Sequence, residues 1–305
     1  MRFAGLALFL PLACVLIRAA AGCDSSDSVA SDIGDASYDG ASFGSSTDAD
    51  EPAVDAGAEL PTLFRFAQLS AGLGPVDVCF RVGENDAFTG PIFGTAEAGF
   101  PNVTSYVTAP NATDFEVAVV DATTGSCSTP EARARITLAP GKKWTIAILG
   151  DFQAEIDAAN ALTIATFVDD DEVVSDASRS RFIHAALGGH QGKSYGPFSA
   201  AAQIGSLVPL AAEIDPKMVS TSSGAPPVVD ALGYHTENIT FDEGSLVLTE
   251  ISDASTAAAT WTSAPTSLAL ESGSVRTGFI VSDEAGIAVL WCNDNSDASD
   301  CHVIR

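Results

Sequence analysis

Three aspartates, Asp294, Asp297 and Asp300, stand with Asn293 and Asn295 around the short loop between Cys292 and Cys301. Oxygen ligands in a disulfide-closed ring are the residue types that take Ca²⁺ in an extracellular medium, although this loop lacks the sixth-position glycine and closing glutamate of an EF-hand. A solvated acidic loop is the competing reading. The run Asp169-Asp170-Asp171-Glu172 poses the same choice, and as a linker between domains it needs no ligand. His190, His235 and His302 show no metal-type spacing, while His184 alternates with Phe182 as a packed, hydrogen-bonded histidine does. Gly40-Ala41-Ser42-Phe43-Gly44 matches the serine-hydrolase turn in letters, but no strand precedes it and no helix follows to expose the serine. Gly192-Lys193-Ser194 has Leu187 where a phosphate loop needs glycine, and Gly196-Pro197 stop the helix that would hold the phosphate. No catalytic residue and no cofactor motif emerges.

The cysteines point to export. Arg2, an apolar run from Ala4 to Ile17, and Ala19 to Gly22 before Cys23 follow the order of a secretory signal. Pro11 and Arg18 interrupt the run, which is too short for a spanning helix. Ala20-Ala21-Gly22-Cys23 resembles a bacterial lipobox, with Ala20 where leucine is favoured, so Cys23 is expected to carry lipid and become the N-terminus. Ordinary cleavage after Ala21 or Gly22 is the alternative. Residues 1–22 are then a signal peptide, and residues 23–60 a disordered tether, for Asp24 to Glu59 hold ten carboxylates and no Lys or Arg. With Cys14 removed and Cys23 modified, Cys79, Cys127, Cys292 and Cys301 remain, an even number suited to an oxidising compartment. Three pairings are open. Cys79 with Cys127 and Cys292 with Cys301 are favoured, because each pair lies within one half of the chain.

The 305 residues carry 14 basic and 40 acidic side chains, a formal charge of −26. Nucleic acid, which is bound by releasing counterions to Lys and Arg patches, is excluded as a partner, and anionic lipid surfaces fall with it. At 46% hydrophobic residues the chain has enough apolar material for a core.

After Pro61 the texture is one of short runs of Val, Ile, Phe, Thr and Ala between Gly, Pro, Asn and Asp clusters, an all-β pattern. Val76, Val78 and Phe80 share one face of a half-buried strand, as do Phe115, Val117 and Val119. The apolar runs from Trp144 to Leu149, Leu162 to Val168, Leu246 to Ile251 and Ile287 to Trp291 suggest strands covered on both sides. The chain also repeats itself. Asp121-Ala122-Thr123-Thr124 recurs as Asp253-Ala254-Ser255-Thr256, and Leu138, Gly141, Thr145 and Asp151 recur as Leu270, Gly273, Thr277 and Asp283, all displaced by 132 (253 − 121). Arg65-Phe66 recurs as Arg181-Phe182 at 116 (181 − 65), and Ile164-Ala165 as Ile287-Ala288 at 123 (287 − 164). Two homologous β domains of sandwich size follow, residues 61–175 and 176–305.

Arg65-Phe66-Ala67-Gln68-Leu69-Ser70, Pro75-Val76-Asp77-Val78, Leu138-Ala139-Pro140-Gly141-Lys142-Lys143-Trp144-Thr145 and Arg181-Phe182-Ile183-His184-Ala185-Ala186 resemble the tandem bacterial envelope domains of domain-of-unknown-function family 4397. The resemblance covers nearly everything after Pro61. It implies immunoglobulin-like β-sandwiches and no activity. The second copy replaces Pro-Val-Asp-Val by Gly188 to Pro197, and the first has Gln68 where the second has His184.

The function expected is that of a non-enzymatic envelope lipoprotein, attached to the membrane at Cys23 in the periplasm or on the cell surface. Its sandwiches present loops, Gly188 to Tyr195 above all, to a glycan or protein ligand. A purely structural spacer is the alternative. A hydrolase would need a serine or carboxylate beside a base in one cleft.

Overall fold

The computed structural model describes residues 61–94, 99–109, 114–150, 161–187, 195–222, 226–251, 259–265, 267–296 and 299–305. The signal and tether, the Gly-x-Ser-x-Gly match, the Gly188–Ser194 segment, Asp253–Thr256 and Asp297 lie outside the described residues.

The fold is all-β. The first half contributes β1 (Leu63–Gln68), β2 (Val76–Arg81), β3 (Asn102–Val103), β4 (Val107–Thr108), β5 (Asp114–Asp121), β6 (Pro130–Thr137), β7 (Lys143–Leu149) and β8 (Thr163–Asp169). The second contributes β9 (Ser178–His184), β10 (Phe198–Gln203), β11 (Leu207–Ile214), β12 (His235–Glu237), β13 (Phe241–Glu250), β14 (Thr260–Thr262), β15 (Leu268–Leu270), β16 (Val275–Asp283), β17 (Gly286–Asn293) and β18 (Cys301–Ile304). Each half has an outer and an inner sheet: β2-β5-β6 and β3-β1-β7-β8 in the first, β11-β10-β13-β14 and β12-β9-β16-β17-β18 in the second. The opening strand of each inner sheet runs parallel to the strand beside it, β1 to β7 and β9 to β16.

Three apolar layers hold four sheets in a stack, because strand side chains alternate between faces. Val76, Val78, Phe115, Val117 and Val119 from the first outer sheet meet Phe64, Phe66, Ile146 and Ile148. Ala67, Ala147, Leu149 and Phe167 on the reverse of that inner sheet meet Ile183, Phe279, Val281, Ala288 and Leu290 of the second half. Phe182, Ile280, Val289 and Trp291 then meet Phe198, Ala200, Leu210, Leu246 and Leu248. The expected faces of β2 and β5 are the observed ones. β7 and β17 are covered on both sides because they lie in inner sheets, whereas β13 is in an outer sheet and turns Leu246 and Leu248 into the core, with Phe241 packed at its margin.

The ladders refine the repeat. Arg65 pairs with Thr145 and Arg181 with Thr277, which agrees with the displacements of 116 and 132. Thr145 lies opposite Phe167 and Thr277 opposite Cys292, so the last inner strands correspond at 125 (292 − 167), not at the 123 read from Ile-Ala. A slip of two residues keeps every side chain on its face, so the apolar pattern does not distinguish the two registers.

The Pro-Val-Asp-Val segment has a second role beside its valines. Asp77 is buried and accepts backbone hydrogen bonds from Ile92 (3.1 Å), Phe93 (3.0 Å) and Gly94 (2.5 Å), fastening that segment along β2. Gly90 makes the approach possible: its φ is +129°, and a Cβ there would lie 2.9 Å from the Val78 carbonyl oxygen.

Candidate functional site

The densest gathering of reactive side-chain types lies between the two inner sheets. Because Arg65 alternates with Phe64 and Phe66, it turns away from the first sandwich and towards the second half; Arg181, flanked by Ser180 and Phe182, turns towards the first. Arg65 Nε donates to Thr145 Oγ1 at 2.8 Å, and Arg181 Nε to Thr277 Oγ1 at 2.9 Å. Each threonine passes a hydrogen bond to an aspartate of its own half, Thr145 to Asp169 at 2.7 Å and Thr277 to Asp294 at 2.5 Å. The outer guanidinium nitrogens cross over. Arg65 Nη2 donates to Asp294 Oδ1 at 2.5 Å, and Arg181 Nη2 donates to Asp169 Oδ1. Tyr106 and Tyr234 complete the set, each hydroxyl donating at 2.7 Å, to Asp169 and Asp294 respectively. Each tyrosine ring lies under the arginine of its own half, at 5.0 Å for Arg65 and 4.6 Å for Arg181.

The electrostatics close on themselves. The two arginines and two aspartates are at most 4% exposed, so they have no recourse to bulk water. Burial alone would lower the Arg65 and Arg181 pKa values; the Asp169 and Asp294 carboxylates outweigh it at both, so both stay cationic. Burial pushes the Tyr106 and Tyr234 phenols up, which keeps them protonated and donating. At Asp169 burial pushes upward too, but Arg65 and Arg181 prevail and hold the carboxyl below the usual carboxylate range. Two cations face two anions, with the carboxylate oxygens occupied by donors. Such a set locks one surface onto another.

Several expectations change here. Asp294 is no calcium ligand in this structure: it turns inward because Arg65, Thr277 and Tyr234 occupy its oxygens. Asp300 accepts from Asn293 Nδ2 at 3.1 Å, and Asn295 is engaged with the backbone of Val275 and Gly273. Among the described residues no group of three His, Cys, Asp or Glu side chains is placed to hold a metal. Asp169 is not part of a solvated linker but the end of β8 and the partner of Arg181; Asp170 next to it pairs with Arg179 at 2.9 Å.

His184 is buried, with Nε2 2.9 Å from the Gly196 carbonyl oxygen and its ring 5.0 Å from Phe198. Burial lowers its pKa, so it is a neutral packed histidine. The cysteines join as Cys79–Cys127 and Cys292–Cys301, the latter directly opposite each other on β17 and β18. Sequence reasoning noticed Arg65, Arg181, Thr145 and Thr277 as repeats without seeing them as one cluster, and it missed Tyr106 and Tyr234. An arginine inside an apolar strand, repeated at an equivalent place beside a repeated threonine, was the available signal.

No family model matches the chain, and no curated protein matches it. Among solved structures it is similar to a crystal structure of a fimbrial assembly protein from Parabacteroides distasonis ATCC 8503. The identity is 11% and the TM-score 0.23, over 80% of this chain and 99% of that one, a likeness too slight for any inference.

Proposed function

We propose that this chain is a non-enzymatic recognition protein of a bacterial envelope, anchored by lipid at Cys23 and holding its four-sheet body out on the acidic segment that follows. The observation that carries this reading is the crossed Arg–Asp set, which spends the most reactive buried groups on fixing two sandwiches into one body. What remains for function is the surface of the outer sheets and their loops. Two disulfides suit an oxidising compartment, and the resemblance to family 4397 belongs with the same reading.

The test has two parts. Expression in a bacterial host with labelled palmitate should give label in the membrane fraction that Cys23→Ser abolishes; release of the unsubstituted protein as a soluble, unlabelled chain refutes the anchor. A screen of the purified chain against glycans and envelope proteins should return a saturable ligand, and its failure favours a spacer.

A further inference from the structure

Four of the five buried side-chain atoms without a hydrogen-bond partner among the described residues lie on one face of the second inner sheet: Ser178 Oγ, Ser180 Oγ, Arg276 Nε and Trp291 Nε1. The face follows from alternation. Phe182 on β9, Ile280 on β16 and Trp291 on β17 belong to the second core, and Ser178, Ser180 and Arg276 share their parity. The register makes these residues neighbours. Ser180 is opposite Arg276 and Arg276 opposite Asn293, while the next rung carries Phe182, Gly278 and Trp291. Ser178 lies two residues along β9 from Ser180, roughly 7 Å away. Both serines are 1% exposed.

The first half is the internal control. There the rung equivalent to Ser180 and Arg276 is Phe64 and Trp144. Phe64 is buried, with its ring 6.3 Å from that of Phe115 across the first core. A serine in the place of that phenylalanine removes a whole ring and brings a hydroxyl into the space. The serines are also shut in. His184, at the far end of β9, is beside Phe198 at the start of β10, so Ser178 and Ser180 lie towards the end where Ile204 and Phe241 close over Gly244; a Cβ on that glycine would meet each of them at 2.9 Å. A buried hydroxyl or guanidinium N–H that gives up its hydration without a partner is unfavourable, and buried polar groups are accordingly met by one.

We propose that this end of the second core is an internal hydration site, in which one ordered water joins Arg276 Nε to Ser180 Oγ and a second joins Ser180 to Ser178. Water fits the donor set. Arg276 Nε only donates, whereas a serine hydroxyl donates and accepts, so the occupant must take a hydrogen bond from the first and do either with the second. It must also be neutral. Arg276 Nη1 already faces Asp300 at 3.9 Å and the serines carry no charge, so an anion would meet a shared cation and its carboxylate. The edge strand does not supply the partner. His235 stands opposite Ser180 and Glu237 opposite Ser178 on β12, but His235 Nδ1 is 2.9 Å from the Val228 carbonyl oxygen and Glu237 Oε1 accepts from the Ile239 amide at 2.8 Å. A water needs about 30 Å³ and two to four polar partners, which the lost ring and the grouped hydroxyls and guanidinium provide.

A crystal structure of the whole mature chain, fine enough to show water, tests this together with urea unfolding of S180A. The expected result is a water peak about 2.6–3.2 Å from both Ser180 Oγ and Arg276 Nε. S180A takes away one of that water's partners, and its midpoint should fall by about 0.3 M, the scale of one net hydrogen bond. The sign discriminates. In a dry site the hydroxyl is unpaired, so deleting it raises the midpoint, and that result overturns the proposal. Density with both serine hydroxyls turned to backbone carbonyls, or with an ion in place of the water, overturns it as well. In solution, oxygen-17 relaxation, which counts long-lived internal waters, should lose at least one when S180F installs the first half's side chain; an unchanged count in the folded variant overturns the proposal. Should S180F not fold, the S180A midpoint and the water peak decide.

Discussion

Replacing Asp294 by Asn keeps the shape of the side chain and removes one of four buried charges. The remaining set is then unbalanced. Arg65 keeps Asp169 at 3.4 Å as its nearest carboxylate, but Arg181 already holds that aspartate. Breaking a buried pair by neutralising one member costs about 3–5 kcal/mol, chiefly because the partner charge is left buried without compensation. Asp294 also accepts from Thr277 and Tyr234, which places the change towards the upper end of that range. Urea unfolding followed by tryptophan fluorescence is a direct assay, since Trp291 is buried against the second core and Trp144 sits on β7 of the first half. With a slope of about 3 kcal/mol per M, the midpoint should fall by about 1.3–1.7 M. The exposed pair Arg305–Asp283 is the control, and D283N should cost under about 1 kcal/mol. Replacing both Arg65 and Asp294 by Leu leaves Asp169 and Arg181 as a neutral pair, so the double change should cost less than the sum of the two single ones. The reasoning fails if D294N unfolds within about 1 kcal/mol of the parent, or if the double variant loses the full sum.

Acid should act through the same cluster. The folded Asp169 pKa lies below its unfolded value of about 3.9, so its contribution is complete above that value and is lost as pH falls through the lower folded one. Thermal midpoints should be level from about pH 7 to 5 and drop below about pH 4, with a shallower acid limb in D169N; a decline beginning near pH 6 contradicts this assignment. Gly278→Ala should cost about 1–3 kcal/mol by overpacking, because the added Cβ would meet the Phe182 ring and Trp291 Cε3 at 2.9 Å. A denaturation midpoint equal to the parent's would count against that packing.

The strands and their buried faces were legible because an alternating apolar pattern is a local property: Val76, Val78 and Phe80 announce their face within six residues. The equivalent register of the two inner sheets was legible from the Arg65/Arg181 and Thr145/Thr277 correspondences. The joining of the halves was not. Nothing near Asp169 or Asp294 in the chain separates a solvated acid from one that faces an arginine 229 residues away, as Asp294 does for Arg65. Both stand among other acids, and local context therefore suggested a linker for one and a calcium loop for the other. Tyr106 and Tyr234 were hidden for a related reason. They sit outside the repeated strands, Tyr106 in the short link between β3 and β4, where spacing carries no periodic signal.

The exchange of partners across the middle of the stack decides how this protein can be cut. A boundary near residue 175 passes through no strand, yet either fragment would leave with an arginine and an aspartate stripped of their counterparts and with an inner sheet turned to water. Excision at that seam thus uncovers charge and oil on the same plane. The halves share one strand arrangement without being interchangeable parts.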